Sequence, residues 1–240
     1  MQHLKLSFLI SIFFLSCFFN ATAQKDLKEF YHLTHIMSPE EKELMKTYSK
    51  EFFETDPPVG EGRNIAEWEP MESVLIAYDG AFGIPMSLIA EMSEDCGITT
   101  IVSGVSEENY VISLFTSGGV NLDNCSFVHQ DPNSWWTRDY SPWYIAVNDE
   151  EVAIVNFPYN RPRPNDNDVP ILMANELGVD LYGMDVEHTG GNYMCDGYGA
   201  AASTDLVWEE NTDQTQTEIN TKMLNYLGIE NFHVTMDPMD

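Results

Sequence analysis

The residues best suited to chemistry lie in an aromatic stretch around one carboxylate, Asp139. Five aromatic side chains accompany it, at positions 135, 136, 140, 143 and 144. A carboxylate in such surroundings needs a partner, and a guanidinium fits best because two N–H groups reach its two oxygens while an indole covers the plane. The alternative is an internal role, in which Arg138 or a backbone amide satisfies Asp139 inside a core. Residue types alone favour the internal role.

Two arginines, Arg161 and Arg163, alternate with prolines in the segment 158–168. The prolines favour a stiff, extended loop, in which alternate side chains point the same way. Such a pair suits the capture of a carboxylate. Surface pairing with Asp166 or Asp168 is the alternative. The same Asp/Asn run could hold a cation, although it lacks a calcium-loop pattern.

A third segment, residues 188–199, combines a histidine and a cysteine with four glycines. Glycines at this density mark a backbone that turns sharply or approaches another group closely. His188 and Cys195 could act as a base and a thiol nucleophile. We favour a structural Cys195, because free cysteine commonly packs as a small apolar side chain. Cys96 and Cys125 are interpreted in the same way.

Charge and the first residues limit the partners and the location of the protein. The 240 residues carry a formal net charge of −28, which disfavours nucleic acids and anionic lipid surfaces and attracts cations. Residues 1–23 resemble a secretory signal peptide, since Lys5 precedes an apolar run that ends in Ala21-Thr22-Ala23. We therefore expect cleavage after Ala23, and a secreted or periplasmic protein without membrane attachment.

The remaining chain divides into a helical extension with a linker, residues 24–62, and an α/β region, residues 63–240. In the extension, Ser38 predicts an N-cap, followed by Pro39 and Glu41. The α/β region lacks a Gly-x-Gly-x-x-Gly motif, which argues against a dinucleotide-binding fold. Its uneven alternation of strands and helices favours a repeat assembly such as a propeller. We predict strands at 73–78, 98–102, 126–129, 140–147, 152–157, 181–187, 193–195, 200–203 and 232–235, and helices at 85–94, 106–116, 169–177 and 218–227.

Several motifs together resemble the bacterial peptidylarginine deiminase and agmatine deiminase family, and the peptidylarginine branch most closely. The resemblance implies an α/β fold of the pentein type, a five-bladed propeller of ββαβ modules that is present here only in part. The motifs are Glu67-Trp68-Glu69-Pro70-Met71, Tyr78-Asp79-Gly80-Ala81-Phe82-Gly83-Ile84-Pro85, Trp136-Thr137-Arg138-Asp139, Arg161-Pro162-Arg163 and His188-Thr189-Gly190-Gly191-Asn192.

The resemblance also implies a reaction and its participants. A cysteine thiolate attacks the guanidinium carbon, ammonia leaves, and water releases citrulline, with no metal or cofactor. By resemblance, Asp139 is a catalytic carboxylate that grips the guanidinium, and Trp136 lines the substrate pocket. Arg161 and Arg163 would bind the carboxylate of a C-terminal arginine in a peptide substrate. Agmatine, deiminated for putrescine synthesis, is the alternative substrate, and an inactive guanidinium-binding module is the alternative to an enzyme.

The family's His-x-Asp pair and its nucleophilic cysteine should follow the strand at 232–235. This chain contains neither pair nor cysteine after that strand. We therefore expect the catalytic His-x-Asp and cysteine to lie beyond residue 240. We also expect the 240-residue chain to be an inactive fragment of a longer product.

Overall fold

The structure is a computed structural model that describes residues 37–48 and 52–237. The predicted signal peptide and the extension up to residue 36 lie outside the described residues, so cleavage after Ala23 stays a prediction. Among the described helices, none combines the length and the apolar character that crossing a bilayer requires.

Eight α-helices and ten strands form within the described residues. The helices are α1 (Pro39–Met45), α2 (Met86–Asp95), α3 (Val105–Gly118), α4 (Thr137–Tyr140), α5 (Pro164–Asn167), α6 (Val169–Leu177), α7 (Leu206–Glu209) and α8 (Gln216–Leu227). The strands are β1 (Gly62–Asn64), β2 (Ser73–Ala77), β3 (Gly97–Val102), β4 (Cys125–His129), β5 (Trp143–Val147), β6 (Glu151–Asn156), β7 (Asp180–Gly183), β8 (Met194–Cys195), β9 (Ala200–Thr204) and β10 (Asn231–Thr235).

The first sheet contains β2, β3 and β4, which are all parallel. Its strands are near-continuous apolar runs, as parallel strands covered by helices require. Helices α2 and α3 connect them and bury Ile89, Val111 and Phe115 against the sheet. The helix predicted to start at residue 106 begins one residue earlier as α3, with Gly104 and not Ser106 or another polar side chain at the N-cap.

The second sheet has the order β1-β5-β6-β7. Strands β5 and β6 are antiparallel, and α6 leads from β6 to the parallel β7, which gives a ββαβ unit. The turn between β5 and β6 places Asn148 and Asp149 at φ values of 52° and 57°, a backbone typical of tight hairpins. The strand predicted from Tyr140 begins only at Trp143, because residues 137–140 form α4.

The third sheet has the order β10-β9-β8, with β8 antiparallel and β10 parallel to β9. Helix α8 joins β9 to β10, so the ββαβ order occurs a second time. The helix begins at a capping box of Thr215 and Glu218 and ends at Gly228, whose left-handed φ of 67° favours glycine. The described residues thus have an α/β fold in three separate sheets, while the five-bladed propeller stays a prediction.

The described part of the extension lies against this α/β region. Ser38 and Glu41 form the predicted capping box at the start of α1. Helix α1 ends at Met45 and residues 52–61 are not helical, so the described part of the predicted helical extension is helical over only seven residues. The backbone N–H of Thr55 instead donates to the carbonyl of Gly183 in β7 at 3.1 Å. The extension is therefore part of the packed fold.

An apolar cluster between the first and second sheets positions the aromatic stretch. It contains Ile101 and Val128 from the first sheet and Ile154 from the second. The fully buried rings of Tyr140 and Tyr159 belong to the same cluster. The segments that carry Asp139 and the two arginines are therefore anchored on one core.

Candidate functional site

A buried tyrosine, Tyr159, marks the place where the predicted site residues converge. Its side chain is 2% exposed, and its ring lies edge-on to Tyr140 with centroids 5.9 Å apart. Burial raises the pKa of Tyr159 far above its usual value, and the negative charge of Asp139 raises it further, while Arg163 and Arg161 oppose the rise. The Asp139 carboxylate and both arginines thus influence the ionisation of one buried hydroxyl.

Trp136 reaches the same place from the aromatic stretch. Its half-buried indole packs against the cluster that contains Tyr140 and Tyr159. The indole of Trp135 lies beside it, with ring centroids 6.3 Å apart. Trp136 and Tyr159 thus pack in one apolar cluster, while the roles of Trp136, Asp139 and the two arginines in substrate binding stay predictions.

Asp139 lies on the single turn of α4, where its backbone N–H donates to the carbonyl of Trp136 at 2.9 Å. The neighbouring Arg138 forms an ion pair with Glu67, and its Nη2 donates to the carbonyl of Tyr193 at 2.7 Å. Across residues 37–48 and 52–237, no group donates a hydrogen bond to the Asp139 carboxylate. The alternative in which Arg138 or an amide satisfies Asp139 is therefore wrong.

Two consecutive glycines make room for Asp139. A Cβ at Gly191 would fall far inside van der Waals contact with Asp139 Oδ1, and a Cβ at Gly190 would collide with the carbonyl of Arg138. Real Cβ atoms do not approach other atoms so closely. The Gly-Gly pair of the third sequence segment therefore forms the surface on which α4 rests.

Asp166 joins the arginine loop to the aromatic stretch. It is fully buried and accepts bonds from the backbone N–H groups of Asn133 and Ser134, at 2.7 and 3.2 Å, and from Ser134 Oγ at 2.7 Å. Burial raises the pKa of Asp166 to about 7, against the lowering effect of these hydrogen bonds. Ser134 also accepts a bond on its carbonyl from the Tyr140 hydroxyl at 2.6 Å. The alternative in which Asp166 pairs with an arginine on the surface is therefore wrong for Asp166, which is buried.

The same loop was considered as a cation site because of its Asp/Asn run. Among the described residues, no three His, Cys, Asp or Glu side chains lie close enough together to hold a metal ion. The Asp166 carboxylate is instead occupied by the hydrogen bonds from Asn133 and Ser134.

The two arginines have different surroundings. Arg163 is 2% exposed and forms an ion pair with Glu41 of α1, with Nε and Oε1 2.7 Å apart. Arg161 is half-buried, and its Nη1 donates to the carbonyl of Asn160 at 3.0 Å. The loop is not fully extended, since α5 begins directly after Arg163. The binding of a substrate carboxylate by these arginines stays a prediction.

His188 and Cys195 do not form a catalytic pair. His188 is buried, and burial lowers its pKa to about 4, so the ring is neutral at pH 7. Its Nδ1 accepts from the backbone N–H of Thr189 at 2.9 Å, and its Nε2 lies 3.3 Å from Ser203 Oγ. The Cys195 thiol points to the carbonyl of Ile65 at 3.7 Å, and burial raises its pKa. This matches the structural role that we favoured for Cys195.

Sequence reasoning missed three residues that shape the site. Nothing in the sequence distinguishes Tyr159 from other core tyrosines, because its position depends on contacts with distant segments. Asp166 looked like a surface residue in a polar run. Gly191 was detectable as a close-approach position, but the atom it approaches was not. The role of Asp166, for example, appears only from hydrogen bonds to residues 32 and 33 positions earlier in the chain.

The chain is similar to known proteins both in sequence and in fold. Residues 63–238 match the family model described as Porphyromonas-type peptidyl-arginine deiminase. The agmatine deiminase of Enterococcus faecalis has a similar structure, with 21% sequence identity and a TM-score of 0.63, covering 78% of this chain and 57% of that one. The agmatine deiminase of C. jejuni is similar at 20% identity and a TM-score of 0.59, covering 73% of this chain and 56% of that one.

The two structural comparisons show that this chain shares its fold with these deiminases. The chain spans a little over half the length of each solved structure. The family match is broader, because it extends over most of this chain and includes the Trp-Thr-Arg-Asp, Arg-x-Arg and Gly-Gly-Asn segments. The chain therefore belongs to the Porphyromonas-type peptidyl-arginine deiminase family.

Proposed function

We propose that this chain supplies the guanidinium-binding part of a hydrolase that deiminates arginine-type guanidines and releases ammonia. The observation that carries the proposal is the state of Asp139. Its carboxylate is partly exposed, lies beside Tyr159 and receives no hydrogen bond from any described residue. A carboxylate so placed is suited to a cationic ligand with two parallel N–H donors.

The surroundings favour a planar cation over a compact one. Trp136 offers an aromatic face, against which a guanidinium can stack while Asp139 binds its edge. An ammonium group lacks the planar fork, so a lysine side chain would lose both the stacking and the second hydrogen bond. The net charge of −28 also attracts cationic substrates over longer distances.

The proposed reaction begins with attack of a cysteine thiolate on the guanidinium carbon. Ammonia then leaves, and water hydrolyses the covalent intermediate to citrulline or its analogue. Asp139 would keep the guanidinium charged and oriented for this attack. We assign the nucleophile to none of the described cysteines, since burial raises the pKa of Cys125 and Cys195, and Cys96 Sγ donates to the carbonyl of Met92.

A peptide that ends in arginine is the proposed substrate, because Arg161 or Arg163 could bind its terminal carboxylate while Asp139 binds the guanidinium. Agmatine is the second candidate, and one observation favours it. Arg163 is already paired with Glu41, which leaves less positive charge for a substrate carboxylate. The similar agmatine deiminases also act without such a carboxylate on the substrate, since agmatine has none.

Titration calorimetry on the chain separates these possibilities. The ligands are a short peptide ending in arginine, its C-terminally amidated form, agmatine, and the matching lysine peptide. We expect the arginine ligands to bind and the lysine peptide to bind at least about tenfold more weakly. Equal affinity for lysine and arginine peptides would refute the guanidinium site. Parallel assays of ammonia and citrulline distinguish an enzyme from a binding module.

Export of the protein is a separate proposal that rests on residues 1–23. N-terminal sequencing of protein recovered from the periplasm or the culture medium tests it. We expect the mature chain to begin at Gln24, and recovery of the uncleaved chain from the cytoplasm alone would contradict export.

A further inference from the structure

We propose that Glu41 is a specificity-determining residue, which occupies the substrate-carboxylate position at Arg163 and competes there with substrates that carry a carboxylate. The inference rests on the proposed function for the meaning of that position. It concerns a residue of the N-terminal extension, far in sequence from the arginine loop.

The geometry of the pair is that of a bound carboxylate. Glu41 Oε1 lies 2.7 Å from Arg163 Nε, and Glu41 Oε2 lies 3.3 Å from Arg163 Nη2. Two oxygens thus face two N–H groups on one edge of the guanidinium, as in bidentate recognition of a carboxylate. A peptide whose terminal carboxylate binds this edge would have to displace Glu41.

Burial makes the two carboxylates mutually exclusive. The side chain of Arg163 is 2% exposed and that of Glu41 is 11% exposed. A second carboxylate therefore has no open path to this edge while Glu41 stays in place. Removal of Glu41 would leave a buried cation without its partner, which is costly, and an incoming carboxylate would relieve that cost.

Glu41 is held by the capping box of a short helix, which an incoming carboxylate can displace. Its Oε2 also accepts from the backbone N–H of Ser38 at 2.8 Å, as part of the capping box of α1. Helix α1 has only seven residues, and such short helices depend on their tertiary contacts. At the far end of this segment, burial and the charge of Asp168 raise the pKa of Tyr48, which places Tyr48 near the arginine loop.

Competition with Glu41 should distinguish ligands by whether they carry a carboxylate. A guanidine ligand without a carboxylate, such as agmatine or an amidated peptide, does not compete with Glu41. A peptide with a free C-terminal carboxylate must first displace it. Glu41 would therefore lower the affinity for substrates that carry a carboxylate, and it would not contact the guanidinium.

A single conservative substitution isolates this effect in the full chain. Glu41→Gln removes the charge but retains the capping box, because glutamine at this helix position also accepts from the N-cap N–H. Glu40→Gln is the matched control, since Glu40 is its exposed neighbour on the same helix. For Glu41→Gln we expect the free-carboxylate arginine peptide to bind about tenfold more tightly. The amidated peptide should be unaffected, and Glu40→Gln should change neither.

Arginine labelling provides a second measurement that does not need a guanidine ligand. Phenylglyoxal modifies accessible arginines, and mass spectrometry reports the extent at Arg163. We expect slow modification in the unchanged chain and in Glu40→Gln, and faster modification in Glu41→Gln. The free-carboxylate peptide should restore protection in Glu41→Gln, whereas the amidated peptide should not.

The outcomes separate this inference from the proposed function. If no arginine ligand binds any variant, the proposed function fails, and the labelling of Arg163 alone decides about Glu41. Slow labelling of Arg163 in Glu41→Gln would overturn the inference. So would equal gains in affinity for the free and amidated peptides, because the effect would then not concern the carboxylate.

Discussion

The Tyr159 region and the His188–Cys195 segment contain similar residue types but differ in how the fold satisfies them. Around Tyr159, the Asp139 carboxylate receives no hydrogen bond from the described residues. In the other segment, His188 is buried and neutral at pH 7, and its Nδ1 accepts a hydrogen bond from the backbone N–H of Thr189. A histidine beside a cysteine is the more familiar catalytic combination, yet here it is structural. Polar residues indicate a binding site only where the fold does not already satisfy their hydrogen-bonding groups.

The two regions are also connected, because the second supports the first. Gly190 and Gly191 follow His188 directly and provide the surface on which α4 lies. The rigid ring packing of His188 against Trp143, with centroids 5.1 Å apart, fixes the start of that turn. The structural segment thereby determines where the Asp139 carboxylate sits. Substitutions in the two regions should therefore differ in whether guanidine binding or only stability changes.

The largest effect on guanidine binding is expected for Asp139→Asn. The substitution retains the shape but removes the charge and one acceptor, so a guanidinium loses a bidentate contact. With about 1.5–3 kcal/mol for each hydrogen bond to a charged group, we expect affinity, or kcat/KM in an active protein, to fall more than a hundredfold. Calorimetry measures the affinity, and steady-state kinetics measures kcat/KM.

Stability is the control for Asp139→Asn. Because no described residue donates to this carboxylate, the melting temperature should stay nearly unchanged. A large loss of stability with normal binding by the folded fraction would assign Asp139 a structural role and contradict the proposed function.

A smaller effect, of about tenfold to a hundredfold, is expected for Gly191→Ala. The added Cβ would overlap Asp139 Oδ1, so the carboxylate or the turn must move. Displacement of a binding group by about 1 Å is enough to produce such a loss. Gly62→Ala is the control, since the nearest atom to its Cβ would lie at an ordinary 3.4 Å. Equal guanidine affinities in the two variants would show that Gly191 does not position Asp139.

Much of the regular fold was predictable from local signals. Apolar runs gave β3 and β10 to within one residue, and Gly119, Gly178 and Gly228 end their helices with left-handed backbone conformations. The predicted boundaries are wrong where contacts between distant residues determine the end of an element. The strand predicted to reach residue 187 ends at Gly183, because its partner β6 ends at Asn156, opposite Gly183 in the ladder.

Motif resemblance predicts Asp139, Trp136 and the two arginines as site residues, and their roles stay predictions. Their surroundings could not be predicted, because the packing of Trp136 with Tyr159 and the effect of Asp139 on the Tyr159 pKa depend on contacts between separate segments. The capping pattern explained Glu41 as a helix cap, and the structure shows that the same carboxylate also binds Arg163. One side chain can satisfy a local and a long-range partner together, and sequence patterns reveal only the local one.

Asp166→Asn should change guanidine affinity only a few-fold. Its main effect should be on the pH dependence of the free energy of unfolding. The folded-state pKa of Asp166 is raised from 3.8 to about 7. The folded state therefore binds the proton more tightly, so this contribution to stability is present below pH ~4 and lost as the pH rises through ~7. The asparagine does not titrate. We expect the stability of the unchanged chain, relative to Asp166→Asn, to fall between pH 4 and pH 8.

The difference in stability between the unchanged chain and Asp166→Asn does not contain the contributions of other titrating groups. His188 acts in the opposite direction, since its lowered pKa of about 4 costs stability as the pH falls from 6.5. It is present in both proteins and cancels in the difference. Urea unfolding at four pH values measures the difference, and a constant value from pH 4 to pH 8 would place the pKa of Asp166 outside this range.

The smallest effect is expected for Cys195→Ala, which tests the structural interpretation of the His188–Cys195 segment. The Cys195 thiol is half-buried and weakly bonded to the Ile65 carbonyl, and burial raises its pKa, so it is not a thiolate at pH 7. Loss of one partly buried sulfur should cost about 1 kcal/mol of stability and leave guanidine affinity within twofold. Cys125→Ala, which removes another half-buried thiol from the first sheet, should behave in the same way. Release of citrulline by the 240-residue chain that disappears in Cys195→Ala and persists in Cys125→Ala would make Cys195 the nucleophile. The distinction between the two regions would then be wrong, because the segment that the fold satisfies internally would be performing the chemistry.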